Sequence, residues 1–363
     1  MRFILWAFII WNVLSVILPG GVTQFQPNYD QHLYQTLENL YNQSQYRQKN
    51  PTSIIPDHTV FRYAAGAYLR GVDPILINSE HTPLGKYFIA LSIFLFRNDG
   101  IIIIFFALFT LFAILLISRN IFHNSVWGLI PVVLFSAEPL FLDQIRVAPM
   151  LDIIQLPFIF LSLYFFLKEY KHEKFIFTSI MIGLVIATKT LVPGLLLITC
   201  FTIFLLAQRL LRSLFMLFMY LPIAALILIA SYTRTFMNGH TFGEFIGFQK
   251  WILLYQQSKL LYPFSAWRLV FLNQWQTWWG DRTLLEAVDW RVTWPLSTGL
   301  TVVLIVVILM KKWRVAPSVL LLVIWAVVYA AFLSLGVISS RFLLPFLPIS
   351  FVLGIYVLRR AFR

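Results

Sequence analysis

Long apolar runs follow one another along this chain, and they leave it few ways to fold. A helix needs roughly 20 apolar residues to cross a hydrocarbon layer about 30 Å thick. By that measure spans are expected at 3–19, 100–118, 125–141, 150–167, 175–190, 192–207, 213–232, 294–310, 316–336 and 342–358. Inside a bilayer every backbone N–H and C=O must find its partner within the segment, so runs of this kind form helices. The expected fold class is all-α integral membrane: a polytopic bundle of about ten (range about nine to twelve) transmembrane helices. Two long amphipathic stretches, 20–99 and 233–293, are left over as loops with interfacial helices.

Composition agrees. The 363 residues are 60% hydrophobic and 12% charged, with a mean hydropathy of +0.79, so water is not the main solvent. Thirty-five Phe, 12 Trp and 15 Tyr exceed the needs of one globular core and suit lipid-facing helices and interfacial belts. The net charge of +13 does not point to nucleic acid, because no basic run lacks apolar flanks; membrane lipids and phosphates are the expected partners of these cations. The single cysteine, Cys200, excludes a disulfide framework and a thiolate metal cluster. Pro19-Gly20-Gly21 offers no signal-peptide cleavage pattern, and the first apolar run is read as an uncleaved span. No internal repeat or linker is evident, so residues 1–363 are read as one integrated membrane domain.

Leu84 to Phe96 is the ambiguous segment, about 13 apolar residues containing Lys86. If it does not cross, Arg2, Arg119, Lys168, Lys171, Lys174, Arg209, Arg212, Lys311, Lys312, Arg314, Arg359, Arg360 and Arg363 share one side. Only Arg146, Lys189 and Arg341 then lie in the short turns opposite, the asymmetry that the positive-inside rule expects. The segment is therefore read as interfacial. Both long loops, with Asp143, Arg146, Asp152, Lys189 and Arg341, then share one extracytoplasmic face, where any chemistry belongs.

Four blocks carry ionisable residues on that face. The first loop holds Pro56-Asp57-His58 and, further on, Glu80-His81-Thr82-Pro83-Leu84-Gly85-Lys86. Then come Arg146-Val147-Ala148-Pro149-Met150-Leu151-Asp152, Ala187-Thr188-Lys189-Thr190 and Arg341-Phe342-Leu343-Leu344-Pro345. In this order the blocks resemble motifs of the GT-C superfamily: protein O-mannosyltransferases (dolichyl-phosphate-mannose-protein mannosyltransferases) and their bacterial aminoarabinose transferase relatives. The first loop is similar to H-P-P-L-G-K, with Thr82 in place of the first proline. The others resemble R-x-A-x-x-D, a T-K turn and R-[FY]-L-L-P. Tyr262-Pro263-Phe264-Ser265-Ala266-Trp267 is a fainter echo of H-P-Y-S-S-x-W. The resemblance implies a GT-C-like bundle and an acidic base about 25 residues before the loop motif. Asp57 fits that spacing, though followed by His58 where the family has Glu, and Asp30 is a second candidate.

Charges at membrane depth cost about 2.5–3.5 kcal/mol each at a helix centre, so they persist chiefly where they pair or bind something. A polyprenyl- or dolichyl-phosphate-linked sugar donor calls for an apolar groove, cations at headgroup depth and a carboxylate beside the sugar. Arg146, Asp152, Lys189, Arg341, Glu80, His81 and Lys86 are the candidate carrier-phosphate and substrate contacts, with Asp57 the catalytic base. The function read from the sequence is transfer of a monosaccharide, mannose or similar, to a hydroxyl of a protein, lipid or glycan acceptor. A prokaryotic plasma membrane is the expected location, in preference to the endoplasmic reticulum.

Each residue has a plainer alternative. Outer Arg and Lys residues can snorkel to headgroups, Asp57 can cap a helix, and Asp152 can pair with Arg146. Glu80, His81 and His240 have the donor types of a divalent metal site, but without metal-binding spacing, so hydrogen bonding is preferred and no cofactor is certain. Trp267, Trp275, Trp278, Trp279, Trp290 and Trp294 are read as an interfacial belt. A transporter or flippase would show repeats and midplane charges. A polysaccharide polymerase or ligase would share the phosphate-binding logic without the first-loop motif.

Overall fold

The computed structural model describes residues 1–19, 25–123, 126–258, 262–276, 283–336 and 339–362; Gly20, Gly21, Trp278, Trp279 and Arg363 lie outside them. From the first helix, α1 (Arg2–Ile17), the chain enters a first long loop with α2 (Gln31–Asn42), α3 (Asp57–Leu69) and α4 (Leu84–Phe96). The first half of the bundle is α5 (Ile101–Phe122), α6 (Ile130–Ser136), α7 (Pro139–Arg146), α8 (Leu151–Glu169), α9 (Ile176–Thr188), α10 (Leu191–Ala207) and α11 (Leu211–Ser231). A second long loop carries α12 (Thr233–Met237), α13 (Phe242–Gln257), α14 (Ser265–Leu272) and a small hairpin pairing Trp275 with Leu285. The last helices are α15 (Thr293–Leu309), α16 (Pro317–Ser334) and α17 (Leu347–Ala361).

Four helices, α5, α8, α11 and α16, are by themselves long and apolar enough to cross a membrane. The others of the bundle are shorter and lie against them or one another: α9 on α8 and α11, α10 on α16, α15 on α17, α1 on α6. The chain is thus a multi-pass membrane protein of about ten helical passes. One pass departs from the expected single span at 125–141. It is a 3-10 turn at Val126–Gly128 followed by α6 and α7, with a bend of 57° at the break. Pro139 is the cause: the residue before a proline is pushed out of helical geometry, and Glu138 is extended at φ −70°, ψ 125°.

Long-range contacts sort into two ends. At the basic end, Arg360 donates to the Arg314 carbonyl (3.0 Å), Ser213 to that of Tyr170 (3.3 Å), and Arg212 pairs with Glu173 (2.9 Å). At the other, Glu138 accepts from Thr293 (2.6 Å) and Trp294 (3.0 Å), and Ser334 accepts from Trp267 (2.7 Å). α4 has both its ends there. Thr82, just before it, docks on the turn after α9, while the Arg97 carbonyl at its far end accepts from Asn28 and Tyr29, where the chain has just left α1.

In the bundle α8 is central and mostly buried by its neighbours, while α11 is mostly uncovered and lies at the rim. Phe166 of α8 stacks on Phe201 of α10, with ring centres 4.1 Å apart and planes 4° from parallel. The Trp belt needs correcting: Trp294 is fully buried on Glu138, and Trp290 donates to the Val270 carbonyl at 3.0 Å. An indole N–H buried inside a bundle must be bonded, and that of Trp294 is.

Candidate active site

Four of the sequence-selected residues come together at the end of the bundle opposite its basic end. Asp57 starts α3, where Pro56 is the capping residue and gives no side-chain hydrogen bond. The expected alternative of Asp57 as a helix cap is therefore replaced: its Oδ2 lies 2.7 Å from Nη1 of Arg341, and its Oδ1 accepts from the Tyr46 hydroxyl at 3.1 Å. Arg341 sits in the 3-10 turn Ser340–Leu343, held against α16 because Tyr329 donates to the Phe342 carbonyl (3.0 Å) and Trp325 to that of Pro345 (3.1 Å).

A second ion pair stands beside the first. Lys189, in the turn that ends α9, is 2.5 Å from Oδ1 of Asp152 in the first turn of α8, with side chains only 7% and 9% exposed. The two cations share a neighbour: Lys189 Nζ is 5.3 Å and Arg341 Cζ 5.8 Å from the centre of the Phe342 ring. So two carboxylates and two cations, drawn from α3, α8, the α9–α10 turn and the approach to α17, form one polar cluster at a helix-bundle end. Arg341 Nε and Asp152 Oδ2 are buried there without a protein partner, although such groups are nearly always bonded.

The first-loop motif frames this cluster. The Thr82 N–H donates to the Lys189 carbonyl (3.0 Å) and its hydroxyl to the Ile186 carbonyl (2.8 Å), bonds that a proline could not make. The departure from the family pattern thus has a local purpose. Gly85 completes the fit, since a Cβ there would lie 2.5 Å from the Thr188 carbonyl oxygen. Burial, then the Lys189 ammonium, pushes His81 down to about 3, so its imidazole is neutral at pH 7. Its Nδ1 is buried and unpartnered, and the ring packs on Phe61 at 5.7 Å. Burial alone would raise the Asp57 carboxyl, but Arg341 outweighs it and holds Asp57 down at about 2.

Other candidates are placed differently. Arg146, the last residue of α7, is exposed and paired with Asp143 one turn earlier at 2.7 Å; the expected Arg146–Asp152 pair is replaced by Lys189–Asp152. Lys86, read as a phosphate contact, is fully buried with its ammonium on the carbonyls of Asn78 (2.8 Å) and His81 (3.0 Å), where it braces the motif loop. Glu80 accepts from Asn78 (2.8 Å), and its carbonyl accepts from Gln256 of α13 (3.1 Å). Asp30 is exposed and caps α2 by accepting from Leu33 N–H at 2.7 Å. His240 lies 3.6 Å from both Asp73 and Glu244, and among the described residues no group of three or more His, Cys, Asp or Glu is placed to hold a metal.

Residues not selected from the sequence tie the two long loops together. Asp73 accepts from Thr235 (2.7 Å) and Asn238 (3.0 Å), and Arg234 donates twice to the Gly71 carbonyl (3.0 and 2.7 Å). An apolar cavity of about 340 Å³, lined by Leu84, Tyr87, Leu184, Ile227, Ala230 and Arg234 among others, opens between α4, α9 and α11 beside this latch. A separate cavity of about 400 Å³ lies by Tyr29, Arg70 and Arg97.

A helical membrane bundle with a charged cluster framed by two long loops defines a class of fold, and known proteins resemble it. Residues 80–234, less than half of the chain, match the family described as dolichyl-phosphate-mannose-protein mannosyltransferase. No curated protein matches the chain as a sequence. Among solved structures it is similar to ArnT from Cupriavidus metallidurans bound to undecaprenyl phosphate, with a TM-score of 0.52, 16% identity and coverage of 84% of this chain and 56% of that one. ArnT from the same organism in the apo state matches with a TM-score of 0.51 at 16% identity, covering 84% and 55%. The chain spans little more than half the length of those proteins. The fold is GT-C-like, and the resemblance to that superfamily holds in sequence and in structure.

Proposed function

We propose that this protein transfers a monosaccharide from a polyprenyl- or dolichyl-phosphate carrier to an acceptor hydroxyl at the outer membrane face. The observation that carries the reading is the pairing of Asp57 with Arg341 across most of the chain, next to the buried Lys189–Asp152 pair. Likeness to a fold seen with undecaprenyl phosphate bound, in ArnT, supports it.

In this reaction the acceptor oxygen attacks the anomeric carbon from the face opposite the phosphate, giving inversion. Its proton passes to Asp57 as general base, a role usually contributing about 10²–10⁴-fold. The bond between anomeric carbon and phosphate oxygen breaks, with its electron pair left on the phosphate. Arg341 and Lys189 stabilise that growing charge, Arg by its planar fork and Lys as a point charge. Because polyprenyl phosphate leaves as an anion, one carboxylate suffices, unlike glycoside hydrolysis, where two flank the bond. Asp152 orients Lys189.

The finer assignment is mannose as the sugar and protein Ser or Thr as the acceptor, in a prokaryotic plasma membrane. The matched family supports the sugar and the acceptor. To test the reading, the purified protein is offered a panel of labelled polyprenyl-phosphate sugars. Label leaving at least one lipid, and staying on it with Asp57→Asn, is the expected result; label retained on every lipid would overturn it.

A further inference from the structure

As it stands, Asp57 is occupied on both oxygens, Oδ2 by Arg341 and Oδ1 by Tyr46. A carboxylate tied to a guanidinium is a poor proton acceptor, and that same guanidinium is the group best suited to a phosphate. Resting on the transferase reading above, we propose that Tyr46 is a positioning residue: a donor phosphate displaces Asp57 from Arg341, and Tyr46 keeps the released carboxylate in line with the acceptor. Oδ2, the atom that Arg341 gives up, then takes the acceptor's proton, while Tyr46 stays on Oδ1.

Tyr46 is built for a fixed position. Its ring stacks on buried Tyr41, with centres 6.1 Å apart. Its loop is closed by Gln45, whose side chain donates to the Ile55 carbonyl (2.8 Å) and accepts from the Ile55 N–H (3.0 Å). Ser44 accepts from the Tyr46 N–H (3.3 Å) and donates to the Tyr41 carbonyl (2.7 Å). This closed loop ends at Pro56, directly before Asp57. Without it a freed Asp57 would have an easy alternative, since it begins α3 and no side chain caps that helix. The unpaired N–H groups of a first helical turn attract a carboxylate. Burial first, then the Asp57 charge, raises the Tyr46 phenol, so it remains a donor at any working pH.

On the other side of the exchange, Arg341 offers more than its bond to Asp57. Its Nε is buried and unpartnered, and Asp152 Oδ2 is an unpartnered acceptor on the neighbouring pair. A phosphate arriving on Arg341 would satisfy the first and a donor hydroxyl the second.

Tyr46→Phe is the test, with steady-state kinetics on the labelled donor and separate binding of undecaprenyl phosphate. Loss of a hydrogen bond to a charged group predicts kcat lower by about ten- to a hundredfold. KM and undecaprenyl phosphate affinity are expected to stay at wild-type values. The acidic limb of kcat is expected at higher pH, because a carboxylate that loses a donor is easier to protonate. Gln45→Ala, which only loosens the loop, is expected to act in the same direction and more weakly, and it serves if Tyr46→Phe fails to fold. Unchanged kcat and acidic limb in a folded variant would overturn the proposal while leaving the transferase reading intact; a wild type that moves no sugar would overturn both. Calorimetry of undecaprenyl phosphate binding at about pH 4.5 in two buffers gives an independent check. Proton uptake that vanishes in Asp57→Asn is expected, and equal uptake in both proteins contradicts the exchange.

Discussion

The two ends of the bundle use the same charged residue types to opposite effect. At the basic end, Arg212 and Glu173 pair at 2.9 Å with side chains 84% and 31% exposed, joining the first turn of α11 to the turn between α8 and α9. At the opposite end, Lys189 and Asp152 pair at 7% and 9% exposure, while Asp57 and Arg341 join segments almost 300 residues apart. The first kind of charge decides which way the chain inserts and is screened by water. The second kind sits where an unpaired charge is costly, and its pairing is specific. Counting cations by side separates the ends; burial and partner identity separate topology from chemistry.

The contrast is open to test from its strongest consequence to its weakest. Asp57→Asn is expected to lower sugar transfer by about 10²–10⁴-fold while undecaprenyl phosphate binding persists, measured by turnover and by native mass spectrometry. Lys189→Ala leaves Asp152 buried without its cation, a change that costs about 3–5 kcal/mol and should appear as a lower melting temperature in detergent as well as lost transfer. Asp57 also predicts a pH effect. Its carboxyl is held at about 2 in the folded protein, against about 3.9 unfolded. The stabilisation from its charged form is therefore complete above about pH 4 and lost as pH falls through about 2. A melting-temperature gap between wild type and Asp57→Asn that closes over that window is the expected observation.

Smaller effects sharpen the comparison. Asp73→Ala removes the acceptor of Thr235 and Asn238, a loss of about 1–3 kcal/mol that should loosen the second long loop to limited proteolysis. Arg212→Ala, at the basic end, is expected to change neither melting temperature nor transfer beyond experimental error. A large effect there would erase the distinction between the two ends.

How much of this was legible in the sequence follows from range. The passes were, because hydropathy is a local property, and even the break at Glu138-Pro139 had a local sign in its proline. Lys189 and Arg341 were legible as residues, through motif and depth, but their partners were not: closeness in sequence suggested Arg146 for Asp152, whereas the bundle brings Lys189 to it from the end of α9. Lys86 carries the same charge as Lys189, and only the Asn78 and His81 carbonyls around it reveal a brace. Tyr46 had no sequence signal at all, since one tyrosine among 15 says nothing until its hydroxyl is found on Asp57. Thr82 did have one, in its departure from a proline pattern, although its two bonds to the α9 turn appear only in three dimensions.

The central claim is that Asp57 and Arg341 form one site open to the outer compartment, and cysteine pairing tests it most directly. In a Cys200→Ala background, Asp57→Cys and Arg341→Cys are introduced singly for labelling of intact cells with an impermeant maleimide, and together for oxidative cross-linking. Both single variants are expected to label from outside, and the double variant to form a disulfide within one chain. Labelling of the two positions from opposite sides of the membrane, with no cross-link, would contradict the account.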